Sequence, residues 1–341
     1  MKHVTIKDVA KRLNVSISSI SRAFNDKYDI KKETKELILK TAEEMGYHPN
    51  PIAQKLSQNK TFNIGVVVPE FINEYYSEII IGIQEVFMAH KFQVLIMQSD
   101  ENTDQELRNV KTLINSMVDG LIIAPTLKSN NMDFYLKQYQ NGYPIVFMSR
   151  VEKNLPASKV LLDNEKWGFF ATEHLIRQGY KKIYHLSGPK FLCVSTERTK
   201  GFKKAMAKHK ISKDNFKIIE AGLFAKNGME VIEDLIYNRD MPDAIFCFND
   251  QVAMGVIKKL KSNGLRVPED VAIMGHTETR MAELITPQLS SIFQPTYEMG
   301  KKTAELLLKL INEGSDQPET VLLNGVLNVR ESSIRDKSVE F

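Results

Sequence analysis

The first 47 residues place apolar side chains at the spacing of three short helices. The first helix has its apolar positions three and four residues apart, at Ile6, Val9, Ala10 and Leu13. Thr5 and Asp8 have the spacing of a capping box at its start. Asn14 tolerates the left-handed backbone that ends a helix, so the pattern predicts a helix followed by a tight turn.

A second helix is predicted from Ile17 to about Phe24, after Val15 in the turn and Ser16 as its cap. Its inward positions are Ile20, Ala23 and Phe24. A third helix is predicted from about Lys32 to Met45, ending at Gly46. Two short helices joined by a tight turn and followed by a third are typical of a helix-turn-helix unit.

From Asn63 the pattern changes to short apolar runs that alternate with amphipathic stretches. The predicted strands are 64–68, 92–98, 120–124, 144–148, 181–187, 244–248 and 271–275. The predicted helices include 78–90, 105–117, 167–178, 199–209 and 251–263. Strands buried on both faces that alternate with helices predict a parallel sheet covered by helices.

The positive charge of the chain is concentrated at its start. Residues 1–61 carry 12 basic and 7 acidic side chains, whereas the remaining 280 residues carry 34 and 35. A small basic unit attached to a nearly neutral body is typical of a protein that contacts a polyanion. Because the basic unit is also patterned as a helix-turn-helix, we expect it to bind double-stranded DNA rather than act as a solubilising tail or a protein-interaction module.

The second helix of such a unit enters the major groove with its N-terminal side chains against the base edges. Arg22 has the bidentate fork that suits guanine, and Ser18 and Ser21 can donate to or accept from either type of base. The candidate DNA-binding residues of the three-helix unit are Thr5, Ser16, Ile17, Ser18, Ser21, Arg22 and Asn25.

The segments VTIKDVAKRLNVSISSISRAFN and GYHPNPIAQKLSQNKTFNIGVVVP closely resemble the N-terminal region of the LacI/GalR family of bacterial transcriptional regulators. The later segments VDGLIIAP, RTKGF, NDQVAMGV, GLRVPEDVAIMG and TPQLSSIFQP match in the same order, so the resemblance covers nearly the whole chain. Asn14 stands where many members have glycine. The resemblance implies a repressor whose affinity for operator DNA is controlled by a small effector, most simply a sugar or a sugar derivative.

The resemblance also implies the domain organisation. Residues 1–47 are expected to form the DNA-binding domain, 48–61 a hinge helix and linker, and 62–341 an effector-binding and dimerisation domain. The expected fold is α/β: a helical head and a body, similar to periplasmic binding proteins, of two doubly wound lobes. The first lobe is expected at about 62–162 and 292–325, and the second at about 163–291 and 326–341.

The hinge is expected to pair with its copy in a homodimer and to fold on pseudo-palindromic operator DNA. Seven or so residues after Pro51 are too few for a stable isolated helix. Leu56 matches the family's minor-groove wedge, which parts a base step in exchange for a bend, and Ala53 is its neighbour on the hinge. Without the resemblance, Leu56 could equally pack on its own domain.

Ligands of open α/β sheets bind at the carboxyl ends of the strands, where this chain carries several polar and aromatic side chains. By resemblance, Arg198 reaches the effector and Phe224 forms an aromatic floor. The candidate effector-binding residues are Tyr75, Tyr76, Arg150, Arg198, Phe224, Asn249, Asp250, Thr277 and Gln294. Structural alternatives stay open: Tyr75 at the surface, Asp250 as a helix cap, and Arg150 paired with an acid across the cleft.

One departure from the family concerns the charge of the cleft. Many members have an aspartate after the strand that ends at Gly275, whereas this chain continues with His276, Thr277 and Glu278. The carboxylate is therefore absent or shifted by one position. Together with Arg150, this departure favours an acidic or phosphorylated carbohydrate.

Other classes of protein are not favoured by the sequence. P-loop, GxSxG and HExxH motifs are missing, so neither an enzyme nor a cofactor is expected. Cys193 and Cys247 lack the spacing of a metal site. No apolar run approaches the roughly 18 residues of a membrane span and no signal peptide is visible, so a cytoplasmic location is expected.

Two alternatives share parts of this interpretation. A solute-binding protein would share the body, but the basic head argues against it. A global catabolite-type regulator would bind DNA in the same way while responding to a phosphorylated carrier protein. The six residues after Arg335 carry no apolar heptads, so a homodimer is expected rather than a tetramer.

Overall fold

The computed structural model describes residues 4–24, 30–47, 60–71, 74–314 and 317–335. The chain forms two compact units, Met1–Phe62 and Asn63–Phe341. The first unit contains α1 (Ile6–Leu13), α2 (Ile17–Phe24) and α3 (Lys32–Glu44). These helices match the predicted ones to within a residue.

The core of the first unit is small and apolar. Its fully buried side chains are Val9, Ala10, Ile20, Ala23, Ile38 and Ala42. Asn14 has φ = 53° and ends α1 in the left-handed conformation, as predicted from its residue type. At the start of α1, the carboxylate of Asp8 accepts hydrogen bonds from the backbone N–H and the hydroxyl of Thr5 at 2.9 and 2.7 Å. These contacts fix the entry into the helix and the turn that follows it.

The second unit alternates strands and helices. Its strands are β1 (Asn63–Val68), β2 (Gln93–Gln98), β3 (Gly120–Ile123), β4 (Ile145–Met148), β5 (Lys159–Leu162), β6 (Ile183–Ser187), β7 (Phe216–Glu220), β8 (Ala244–Cys247), β9 (Ala272–Met274), β10 (Ser291–Phe293), β11 (Thr320–Leu323) and β12 (Val326–Asn328). Its α-helices are α4 (Glu74–Ala89), α5 (Thr103–Asn115), α6 (Met132–Gln140), α7 (Asn164–Arg177), α8 (Cys193–Lys208), α9 (Ala225–Tyr237), α10 (Asp250–Ser262), α11 (Met281–Leu284) and α12 (Thr296–Glu313).

Two parallel sheets organise this unit. The first has the order β11-β5-β4-β3-β1-β2 and the second the order β7-β6-β8-β9. We call the first sheet with α4, α5, α6 and α12 the first lobe, and the second sheet with α7 to α10 the second lobe. An antiparallel pair, β10 and β12, lies where the chain crosses between the lobes. The predicted class, a helical head with an α/β body of parallel sheets, is confirmed.

Helices cover both faces of each sheet, so the central strands are buried. In the second lobe, α7 and α8 pack on one face and α9 and α10 on the other. The structure adds β5, β7, β10, β11 and β12 to the predicted strands. β5 begins with Lys159, and β7 mixes Lys217 and Glu220 with its apolar residues, so neither gives a continuous apolar run. β10 and β12 are only three residues long.

Pairs of glycines allow neighbouring helices to approach closely. A Cβ on Gly168 of α7 would lie 2.6 Å from the carbonyl oxygen of Arg198, and one on Gly201 of α8 would lie 2.2 Å from that of Glu165. Neither distance accommodates a side chain, so both glycines are required for the contact between α7 and α8. This contact fixes the backbone of Arg198 at the edge of the second lobe.

Candidate functional site

The exposed N-terminal part of α2 is the candidate DNA-binding surface of the first unit. Ser16 caps the helix, because its Oγ accepts a hydrogen bond from the backbone N–H of Ser19 at 3.1 Å. Ile17 is 45% exposed, and Ser18 and Arg22 are exposed beside it. An exposed isoleucine beside a guanidinium and a hydroxyl offers both apolar and hydrogen-bonding contacts to base edges.

The remaining candidate DNA-binding residues fall into two groups. Thr5 is exposed at the start of α1, and Ser21 is half-buried on α2. Asn25, Ala53 and Leu56 lie outside the described residues, as does most of the segment predicted to form the hinge.

The cleft between the two lobes brings together all nine candidate effector-binding residues. It lies at the carboxyl ends of the strands of both sheets, as the position of ligands in open α/β sheets predicts. Its lining residues are Glu70, Tyr75, Tyr76, Glu101, Leu127, Ser149, Arg150, Leu162, Asn164, Leu192, Val194, Arg198, Leu223, Phe224, Phe248, Asn249, Asp250, Gln251, Thr277, Thr279 and Gln294.

The first lobe contributes an ion pair to the cleft. Nη1 of Arg150 lies 2.5 Å from Oε1 of Glu101, and the Arg150 guanidinium lies 5.7 Å from the ring centre of Tyr76. Oε2 of Glu101 also accepts a hydrogen bond from the backbone N–H of Leu127 at 2.7 Å. Glu101 therefore neutralises Arg150, so Arg150 pairs with an acid as the open alternative had it, although within one lobe rather than across the cleft.

Two tyrosines at the start of α4 line the same side. Tyr75 is not a surface residue: its hydroxyl donates to Oγ of Ser149 at 3.1 Å. The Tyr76 ring packs edge-on against it at 5.1 Å and is 1% exposed. The Tyr76 hydroxyl has no hydrogen-bond partner among the described residues. A buried hydroxyl in this state can donate to or accept from a polar ligand.

Three residues that line the cleft have left-handed backbone conformations. Glu101, Ser149 and Thr277, which all line it, have φ values of 51°, 69° and 65°. Residues other than glycine rarely adopt such values, and a β-branched threonine is an outlier there. Strained backbone is typical of binding sites, where the surrounding structure holds side chains in position.

Arg198 projects from α8 into the cleft and is 5% exposed. Its guanidinium donates to Oδ1 of Asn164 at 3.0 Å, to the carbonyl oxygen of Phe248 at 2.6 Å and to Oγ1 of Thr277 at 3.3 Å. It also stacks on the Phe248 ring at 4.6 Å. Burial lowers the pKa of Arg198 to about 10. All three acceptors are neutral, so a buried cation faces the cleft with hydrogen-bonding capacity to spare.

Asp250 lies beside Arg198 on the second lobe and is 1% exposed. Its carboxyl group accepts from Oγ of Ser291 at 2.5 Å and from the backbone N–H of Thr279 at 3.1 Å. Burial raises the pKa of Asp250 to about 8, so the group is mostly protonated at neutral pH. The cap of α10 is its neighbour Asn249, whose Oδ1 accepts from the backbone N–H of Val252 at 2.9 Å.

Thr277 links the cleft to the crossing between the lobes. Its Oγ1 accepts from Nε2 of Gln294 at 2.8 Å as well as from Arg198. Glu278 pairs with Arg330 at 2.6 Å and lines a neighbouring pocket rather than the cleft itself. Since Glu278 is not among the cleft-lining residues, the family carboxylate is replaced by the Thr277 hydroxyl rather than shifted by one position.

Phe224 lines the cleft but is 60% exposed, before the first residue of α9. Phe224 therefore lies where a ligand in the cleft can contact it, and the ring beneath Arg198 belongs to Phe248. Sequence reasoning missed Phe248, Glu101 and Asn164. The rule that ligands meet strand ends could have found them, since Phe248 follows β8 directly and the other two come within three residues of a strand.

No described helix is both long enough and apolar enough to cross a membrane.

Comparisons with known protein families match both units. Residues 5–50 match the family described as bacterial regulatory proteins, lacI family, and residues 172–333 match the periplasmic binding protein-like domain. Catabolite control protein A of Priestia megaterium is 31% identical over 97% of this chain and 99% of its own length.

Solved structures show the same fold. The lac repressor dimer bound to operator and an anti-inducer superimposes with a TM-score of 0.84 and 24% identity, covering 98% of this chain and all of that one. The complex of the transcriptional regulator CelR with cellobiose has a TM-score of 0.72 and 26% identity, covering 97% of this chain and all of that one.

Proposed function

This chain belongs to the LacI family of bacterial regulatory proteins, and from that premise we propose that it represses transcription under the control of a small carbohydrate effector bound between its lobes. The protein is a DNA-binding transcriptional regulator whose partners are double-stranded operator DNA and a second copy of itself. Its relatives are transcriptional regulators rather than enzymes.

We assign DNA reading to the exposed side of α2. Arg22 forms no hydrogen bond or ion pair with any other described residue, so its guanidinium is available to a guanine edge. Ile17 and Ser18 flank it, and the cap at Ser16 holds the start of the helix. In the first unit, Thr5, Ser21 and Asn25 complete the proposed contact surface with DNA.

We assign effector binding to the cleft, and the observation that carries this assignment is the buried Arg198. A guanidinium taken out of water without a carboxylate partner is costly for the empty fold. Polar ligand atoms offset that cost when they fill the cleft. The regulator complex with cellobiose, which shares this fold, is consistent with a carbohydrate.

The proposed domain organisation is a head at 1–47, a hinge at 48–61 and an effector-binding body at 62–341. In this proposal Ala53 and Leu56 of the hinge contact the minor groove. The effector favours one arrangement of the lobes and so changes how the two hinges meet the operator. A coupling of a few kcal/mol is enough to change operator occupancy by orders of magnitude.

Exposed apolar side chains support the homodimer. Ile81 and Met88 lie two turns apart on α4 and are 55% and 72% exposed. Leu284 of α11 is 74% exposed. Apolar side chains left in water at this spacing are typical of a surface that is covered by a partner.

The proposal is tested with two variants that separate the functions. The operator is selected from random DNA duplexes by the full-length protein, and a panel of sugars and sugar acids is screened for release from it. We expect Arg198→Ala to bind this operator and ignore the effector, and Leu56→Ala to bind the effector but hold operator weakly. Lys200→Ala, an exposed change on the same helix as Arg198, is the matched control. It should keep both operator binding and the response to the effector.

A full effector response in Arg198→Ala would remove the cleft from the proposal. Normal operator binding by Leu56→Ala would reduce the hinge to a tether. Control by a phosphorylated carrier protein, the catabolite-type alternative, is favoured by no contact described above. It predicts that adding the carrier, and not a sugar, changes operator affinity.

A further inference from the structure

We infer that the effector is a sugar acid, a carbohydrate with a single carboxylate that pairs with Arg198 in the second lobe. This inference rests on the proposed effector function and names the chemical class of the ligand. Its basis is the charge balance of the cleft, side chain by side chain.

Arg198 is the buried cation of the cleft that lacks a counter-ion. Within the described part of the chain, no carboxylate oxygen lies within 4.0 Å of its guanidinium nitrogens. Glu197 and Asp250 are the acids near it, and burial raises the pKa of both, which weakens them as counter-ions. A ligand anion is therefore the group that completes the electrostatics of Arg198.

The geometry of the guanidinium suits a carboxylate. Arginine has five N–H groups in a planar fork, and three of those of Arg198 are used by Asn164, Phe248 and Thr277. One N–H remains on each terminal nitrogen. A guanidinium that keeps an N–H on each terminal nitrogen can pair with the two oxygens of a carboxylate. The Phe248 ring beneath the guanidinium holds its plane in position.

The other charges of the cleft favour a ligand with one negative charge. Arg150 is neutralised by Glu101 at 2.5 Å, so only one guanidinium is available to an anion. Glu70 also lines the cleft, after β1 of the first lobe, and it disfavours a second negative charge there. A phosphate with nearly two negative charges would leave one uncompensated. A carboxylate towards the second lobe and neutral hydroxyls towards the first lobe match this distribution.

The cleft also offers hydrogen-bonding groups to the hydroxyls of the sugar. The side-chain hydroxyls of Tyr76 and Thr279 are buried, line the cleft and have no hydrogen-bond partner among the described residues. The carboxylate of Glu101, which also lines the cleft, can accept from a sugar hydroxyl. The cleft therefore matches a polyhydroxylated monoanion better than an apolar carboxylic acid.

The experiment measures ligand class on the full-length protein by isothermal titration calorimetry. The probes are a hexose, its uronate, its aldonate and its 6-phosphate, each in the gluco, galacto and manno series. We expect at least one sugar acid to bind about tenfold or more tightly than the neutral sugar and the phosphate of the same series.

A variant with an added negative charge beside Arg198 makes the test independent of which sugar skeleton binds best. Thr277→Asp places a carboxylate where Oγ1 now lies 3.3 Å from Arg198, and aspartate tolerates the φ of 65° at this position. We expect this variant to lose the sugar acid by about tenfold or more and to retain or gain the neutral sugar. Thr112→Asp, which adds the same charge on the exposed side of α5, should leave the preference unchanged.

The possible outcomes separate this inference from the proposed function. If a neutral sugar or a sugar phosphate binds more tightly than every sugar acid and releases operator DNA, the cleft is an effector site and the inference is wrong. If Thr277→Asp binds the sugar acid as tightly as the wild type, Arg198 does not hold the carboxylate. If no probe binds, the effector function and the inference fall together.

Discussion

The buried carboxyl group of Asp250 makes the stability of the second lobe depend on pH in an unusual direction. An unfolded aspartate has a pKa near 3.9, whereas burial raises the pKa of Asp250 to about 8 in the fold. Between about pH 4 and pH 8 the folded chain therefore keeps a proton that the unfolded chain has lost. The contribution of Asp250 to stability therefore falls as pH rises through this window and is constant above it.

The size of the effect follows from the shift. One pKa unit corresponds to about 1.4 kcal/mol, so the contribution of Asp250 changes by about 3–4 kcal/mol between pH 5 and pH 8. Full burial of the group means that solvent screening does not reduce this value much. Asp250→Asn keeps the shape of the protonated acid, and its amide can still accept from the Thr279 N–H and donate to Ser291.

We expect the free energy of unfolding of Asp250→Asn, compared with that of the wild type, to be more favourable at pH 8 than at pH 5. The measurement is urea-induced unfolding at pH 5, 6, 7 and 8, followed by the fluorescence of Trp167, the single tryptophan, which lies on α7 of the same lobe. Asp133→Asn, an exposed change on α6, is the matched control and should give a constant difference. A constant difference for Asp250→Asn as well would refute a protonated Asp250.

Three further predictions follow from the described contacts. Arg22→Ala should lose about 1–3 kcal/mol of specific operator binding with little change in nonspecific affinity, and a wild-type footprint would contradict the assignment of α2. Gly168→Ala places a Cβ 2.6 Å from the Arg198 carbonyl oxygen. Thermal denaturation should therefore show a destabilisation of about 1–3 kcal/mol, although alanine has the better helix propensity. A stabilised variant would mean that α7 and α8 are not tightly packed. Light scattering at micromolar concentration should give the mass of a dimer, and the mass of a tetramer would exclude the proposed assembly.

Local patterns determined the elements of this protein. Apolar positions three and four residues apart predicted α1 and α2, and the residue type of Asn14 predicted the left-handed end of α1. Continuous apolar runs predicted the central strands, because strands buried on both faces need apolar side chains on both. Topology then predicted the cleft: parallel strands bring their carboxyl ends to one edge, and all nine candidate residues meet there.

Tertiary structure decided the chemical state of those side chains. Arg150 and Glu101 are 49 positions apart in the sequence, and only the fold, which brings the carboxyl ends of β4 and β2 to the same edge of the first sheet, shows that they neutralise each other. From the sequence alone, Asp250 is an ordinary carboxylate at the start of a helix. Its burial in the fold raises its pKa to about 8 and keeps it mostly protonated. Charge and protonation depend on distance and burial, and neither is a property of local sequence.

The same reason explains what the family resemblance left open. The sequence showed that an expected carboxylate was missing after Gly275, but not whether Glu278 took its place. The fold turns Glu278 to Arg330 and leaves Arg198 with the Thr277 hydroxyl. The backbone conformation at Thr277 decides whether Thr277 or Glu278 faces Arg198. Its φ of 65° depends on the packing around it. The sequence therefore determines the architecture and the position of the cleft, whereas the contacts between distant segments decide its charge.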